Sequence, residues 1–164
     1  MDQADDAFKQ AYRLHVVEGE TEKAIALCRE ALRLDPNHHV ARVFLGCLLG
    51  DYGSDAEQLE SREHFVEAIE RAWSLPSVLA DAWLEENPIY QLGIWEKKRG
   101  KSENALVFFI IDTVVTRNRF AERELESLYS GIDARMVAVV RLLVERIRRE
   151  YEVVPVGNPS AHRP

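Results

Sequence analysis

Residues 5–36 read DDAFKQAYRLHVVEGETEKAIALCREALRLDP, and this stretch decides the fold. Phe8, Ala11, Tyr12 and the pair His15–Val16 recur at the three-and-four spacing of one helix face. Gly19 stops that helix, and Thr21 is a candidate N-cap for the next. Ala24, Leu27, Cys28, Ala31 and Leu34 then fall on a single stripe. Asp35-Pro36 ends the second helix, because proline disfavours a helical conformation in the residue before it. Ala24 and Ala31 are short enough for two helices to approach closely. The stretch therefore predicts one helix–turn–helix unit.

The same punctuation returns along the chain. Tyr12, Gly19 and Ala24 are spaced by seven and five residues, as are Gly93, Gly100 and Ala105. Gly46 and Gly53, again seven apart, begin a third and interrupted copy. Marks of this kind predict stacked helical repeats, which cannot bury their apolar faces singly. In the second unit Ala41, Phe44, Leu45, Leu48 and Leu49 form the first apolar face. Aligning Ala72 with Ala31 leaves about seven extra residues after Gly53, which two extra helical turns would absorb. Leu59, Val66, Ile69 and Trp73 then form the buried stripe, and Pro76 closes the unit. Val78, Leu79, Ala82 and Trp83 suggest a short helix before Asn87-Pro88 opens the third unit.

The run from Asp5 to Pro36, with Phe8, Ala11, Gly19, Ala24, Cys28, Ala31 and Leu34-Asp35-Pro36, resembles a tetratricopeptide repeat. Leu45-Gly46 and Leu92-Gly93 look like that family's leucine–glycine pair. Tyr12 stands where the family usually has a small residue, and Asp112 does likewise on the second helix of the third unit. The resemblance implies an all-α, short right-handed solenoid of helix pairs, with repeats at about 5–36, 38–76 and 87–118. Helices at about 119–152 would cap it, since a solenoid exposes the apolar face of its last unit. Residues 1–154 read as one domain, and the polar, proline-bearing segment 155–164 reads as a disordered tail.

Composition bounds the function. The chain has 164 residues, 46% of them hydrophobic, and a net charge of −7. Such an acidic balance argues against nucleic acid as a partner. The longest apolar runs, such as Val107 to Ile111, are too short to span a bilayer, and no signal peptide is visible, so the expected location is cytoplasmic. Cys28 and Cys47 sit in helical patterns and read as buried reduced thiols. His15, His38, His39, His64 and His162 form no ligand-spaced set, and no phosphate loop, CxxC or serine elbow occurs. No metal, cofactor or catalytic residue is expected; an enzyme using a pocket beside the C-terminal helices is the third reading.

In the family that the chain resembles, the first helices line a concave groove. Mapped onto this sequence, the groove takes Lys9 and Arg13, Val43 and Cys47, and Tyr90, Ile94 and Lys97. The mixture is an apolar centre with basic flanks, suited to a peptide or helix with acidic ends. The alternative is that Val43, Cys47 and Ile94 are ordinary core. The family's lysine–asparagine carboxylate clamp is not reproduced, because Arg13 replaces an asparagine and Phe44, Asn87 and Gln91 replace other polar and basic groups.

Glu60, Glu63, Glu67 and Glu70 share one helical face, expected to be a solvated outer face rather than a docking strip for a basic partner. Arg141, Arg146, Arg148 and Arg149 suit the negative end of the last helix, an anionic partner, or the glutamate stripe itself. The chain thus reads as a protein–protein interaction module: a scaffold, an adaptor or a secretion-type chaperone. The alternative is a structural subunit that self-associates, a homodimer being the simplest form, or docks permanently in a larger complex.

Overall fold

Every regular element among the described residues is a helix, and each begins and ends for a local reason. A computed structural model of the protein describes residues 3–72, 87–116, 118–131, 134–135 and 137–142. Helix α1 (Gln3–Val16) runs to a turn at Gly19, whose φ of 74° is a left-handed conformation that costs glycine little. Helix α2 (Thr21–Leu34) follows. Thr21 is its first helical residue and not its cap; its hydroxyl lies 3.1 Å from His15 Nδ1 instead. Asp35 leaves the helix in an extended conformation before Pro36.

Helix α3 (His39–Tyr52) is capped by His38, whose Nδ1 accepts the Ala41 N–H at 3.2 Å. At the start of helix α4 (Asp55–Ala72), Glu57 reaches back and accepts from both the Ser54 N–H and its hydroxyl, the glutamate half of a capping box. Helix α5 (Pro88–Lys98) starts with proline behind Asn87, whose side chain accepts the Ile89 N–H. Helix α6 (Ser102–Val115) follows the Gly100 turn, φ 73°. Helix α7 (Arg119–Tyr129) is capped by Asn118 in the way Asn87 caps α5. Residues 134–135 and 137–142 are also helical, and Val137 and Val140 pack against the core of α5, α6 and α7.

Packing follows chain order. The helices form hairpins α1–α2, α3–α4 and α5–α6, each against the next, with α7 against α6. One core joins Ala11, Ala24 and Cys28 of the first hairpin to Leu45, Leu48 and Leu49 of the second. A second joins Val43, Phe65 and Ala68 to Leu92 of the third. A third gathers Ala105 and Phe109 with Ala121, Leu125 and Tyr129 of α7. The result is an all-α, solenoid-like stack of helix pairs, and none of its described helices is long and apolar enough to cross a membrane.

Two registers differ from the sequence reading. The small residue at the first crossing is Ala11, which is fully buried, and not Tyr12, which is 45% exposed. Val17 and Glu18 separate α1 from Gly19, whereas Arg99 alone separates α5 from Gly100. The turn-closing bonds record the extra residue: Glu20 N–H donates to the Leu14 carbonyl, and Lys101 N–H to that of Glu96. Leu14 lies three residues past Ala11, as Glu96 lies three past Gly93. Equal spacing in sequence thus concealed an offset of one residue, which is about 100° around a helix.

In the second hairpin, Phe65 holds the position of Phe109. A Cβ added at Gly46 would meet the first ring, and one at Gly93 the second. That alignment places Ser61 beside Ala24 and Ala105, and Ala68, not Ala72, beside Ala31. The insertion is one extra turn at the start of α4, which has 18 residues against 14 in α2 and α6. Leu59, in register with Glu22 and Glu103, is exposed rather than part of the buried stripe. Ser61 is buried at the crossing, and its hydroxyl donates to the Gly46 carbonyl at 2.7 Å. Both cysteines are free thiols; Cys28 is buried, which pushes its pKa up to about 12, and Cys47 is half-buried. The expected helix at 77–86, the closing residues Trp73 and Pro76, the cap beyond 142 and the tail 155–164 lie outside the described residues.

Candidate functional site

The first helices of the three hairpins, α1, α3 and α5, carry equivalent positions once Ala11, Gly46 and Gly93 are superposed. Two residues align with Val43 and Tyr90, and with Cys47 and Ile94, on the first helix: Phe8 and Tyr12. Lys9 and Arg13 are each one residue further round. Arg13 is 74% exposed at its side chain and pairs with Glu18 across its own turn at 3.1 Å. Lys9 is exposed, in register with Phe44 and Gln91. The basic flank expected of the first unit is therefore an aromatic one.

Those aromatics form a continuous layer between α1 and α3. The Phe8 and Phe44 rings meet edge to face at 5.8 Å, and Tyr12 lies 5.6 Å from Phe44. His15 touches Phe44 at 5.9 Å and Tyr52 at 5.4 Å. His38 stacks against Phe8 and brings Nε2 within 3.1 Å of Asp5, tying the cap of α3 to α1. Because His38 Nδ1 accepts from the Ala41 N–H, its ring proton belongs on Nε2. Tyr12 of this layer remains 45% exposed, and Val16 of α1 and Val40 of α3 remain 56% and 44% exposed. An exposed group of this kind beside half-buried Phe44 marks a candidate contact surface.

The rest of the expected groove divides in two. Cys47 and Ile94 come together in a shallow, open cleft between α3 and α5, with Gln91, Trp95 and Lys98. Lys98 forms an ion pair with Asp51 across its mouth. Val43, in contrast, is buried core against Phe65 and Leu92. Tyr90 packs on Phe109 and Phe120, and Lys97 pairs with Glu124, so both face α7. The open surface is thus the α1–α3 half, and α7 adjoins its far end.

The acidic face of α4 is largely matched by arginines of this chain. Arg29 of α2 donates to Glu60 at 3.0 Å, Arg62 pairs with Glu63, and Arg42 and Arg71 both hold Glu67. Arg42 is buried and also donates to the Pro36 carbonyl at 2.6 Å, fixing the turn between two hairpins. The described partners come from α2, α3 and α4 itself. Arg141 pairs instead with Glu126 of α7, and Arg146, Arg148 and Arg149 lie outside the described residues. Burial holds both His39 and His64 below the ordinary imidazole range, with Arg42 adding to the effect at His39. Among the described residues no three His, Cys, Asp or Glu side chains converge as a metal site.

Comparison with protein-family models and with curated proteins gives no match. Sequence reasoning had the helices that carry the face but missed Tyr12, Val16 and Val40 as its exposed members. Val16-Val17 was the available signal: two apolar residues at the end of α1 that the next helix cannot cover.

Proposed function

We propose that the protein is a tetratricopeptide-like interaction module, acting inside the cell, that holds a peptide or helix of another protein on its α1–α3 face. The supporting observation is the aromatic layer of Phe8, Tyr12 and Phe44 with Val16 and Val40 left open beside it. Each large apolar side chain covered there would contribute ~1.5–3 kcal/mol to association, before the cost of ordering the partner. The Asp5–His38 and Asp51–Lys98 contacts occupy charges near that face, so apolar shape supplies most of the recognition. A partner acid would find Lys9 at the edge.

Selection from a displayed random-peptide library tests this reading. The expected result is enriched peptides carrying apolar residues, bound by the wild type and lost by a Tyr12→Glu/Val40→Glu variant of unchanged helicity. Peptides held equally by both proteins, or no enrichment at all, would overturn it. A second reading, a subunit that self-associates, draws on Val139 and Leu142, which are 49% and 71% exposed near the C-terminal end of the described helices. Sedimentation of the wild type beside Leu142→Glu separates the two.

A further inference from the structure

The third hairpin departs from the other two at Asp112. Its equivalents are Ala31 and Ala68, and all three side chains are fully buried. A carboxyl group therefore sits where the first two hairpins place a methyl group. Its described hydrogen-bond partners are neutral. Thr116, at the end of α6, donates its hydroxyl to Oδ1 at 2.6 Å, and Asn118 donates its amide to Oδ2 at 2.7 Å. Asn118 is itself buried and caps α7 through the Phe120 N–H. One carboxyl group thus joins the last turn of α6 to the first turn of α7.

Burying an ionised carboxylate without a cation is costly, and the cost falls if the group takes up a proton or if water enters. Burial accordingly pushes Asp112 up to about 6, against the opposing effect of its Thr116 and Asn118 hydrogen bonds. The titratable groups that α5 and α7 bring to the adjoining core are the phenols Tyr90 and Tyr129. Of the described charged groups on these helices, buried Glu96 accepts from Asn104 and Lys98 pairs with Asp51. Lys97 pairs with Glu124, Arg141 with Glu126, and Arg119 and Arg123 lie over Phe120.

We propose that the α6–α7 junction is a proton-operated latch: proton uptake by Asp112 tightens the seating of α7 on the third hairpin, and proton loss loosens it. The consequence falls on the third hairpin, because α7 packs on Tyr90 of α5. The sign follows from linkage. An acid whose folded pKa is raised stabilises the closed state fully below its ordinary value of 3.8 and loses that contribution as pH rises through about 6. The buried neutral rings of His39 and His64 act in the opposite direction, so wild type must be read against variants that keep both histidines.

Amide hydrogen exchange, corrected for the intrinsic rate at each pH, tests the latch in the full chain. Amides of residues 119–129 in wild type should open roughly tenfold more readily at pH 7.5 than at pH 5. Asp112→Asn, which mimics the protonated acid, and Asp112→Ala, which restores the residue of the other hairpins, should lack that difference. A slope that persists in both variants, that is absent from wild type, or that is equally large in α1 and α2 would overturn the proposal. If neither variant folds, the Asp112 carboxyl carbon of the wild type can be followed by NMR. A midpoint near 6 supports the latch, and one in the ordinary carboxylate range overturns it.

Discussion

The first and third hairpins use one plan with two packings. At the crossing of the first hairpin Ala11 accompanies Cys28, and at the crossing of the third Gly93 accompanies Phe109. What the first helix gives up in volume the second takes back, as Gly46 and Phe65 do in the middle hairpin. A further step along the second helix the compensation stops: Ala31 and Ala68 become Asp112. A helical repeat therefore tolerates large exchanges of volume across a contact, because close packing constrains the sum of the facing side chains more than either one. Asp112 is not balanced by volume in this way: Thr116 and Asn118 hold its carboxyl group, and this joins α6 to α7.

The comparison can be broken most severely at Phe109. Phe109→Ala should cost ~3–5 kcal/mol in denaturant unfolding, while Cys28→Ala at the matching site should cost only ~1 kcal/mol. Gly93→Ala should cost ~1–3 kcal/mol, because its new Cβ would lie 2.5 Å from Cε1 of a ring with no free space around it. In the Phe109→Ala background the same change should become nearly neutral. A double-mutant cycle with no coupling would sink the volume-exchange account.

The turns are expected to behave alike where the crossings differ. A Cβ at Gly19 or Gly100 meets nothing within 4 Å, so alanine at either site adds only the strain of a positive φ. Each substitution should cost ~1–2 kcal/mol, and the two should agree within error. A much larger loss at one of them would mean that the turns are not equivalent.

The smallest effect on stability separates the two registers of α1. Lys9→Ala should change stability by less than ~0.5 kcal/mol, and Tyr12→Ala by ~0.5–1.5 kcal/mol through its contacts with Phe8 and Phe44. Peptide binding should follow the same order, with Tyr12→Ala the more damaging. Greater sensitivity at Lys9 would restore the basic groove expected from even spacing.

Much of this molecule was legible in one dimension. Periodicity gave α1, α2, α3, α5 and α6, and the glycines and Asn87-Pro88 marked where helices turn or begin. These are local signals, in which each residue acts on a backbone within about one turn of itself. The candidate face was less legible. One additional loop residue, Glu18 beyond Val17, exchanged Lys9 and Arg13 for Phe8 and Tyr12, and the closing bond to Leu14 that reveals it exists only in the folded turn. The partners of the glutamate face were also hidden, since Arg29 and Arg42 reach it from helices distant in sequence.

The sequence by itself determined that this is an all-α chain of helix hairpins, and also where most of its turns fall. Tertiary structure alone decided which side of α1 meets α3, that Ala68 rather than Ala72 takes the place of Ala31 in the second hairpin, and that Asp112 is sealed between α6 and α7. The physical reason is the reach of the forces involved. Helix formation and capping are settled within a few residues, whereas packing and desolvation depend on which surfaces meet, and a single residue of offset rotates a helix by about 100°.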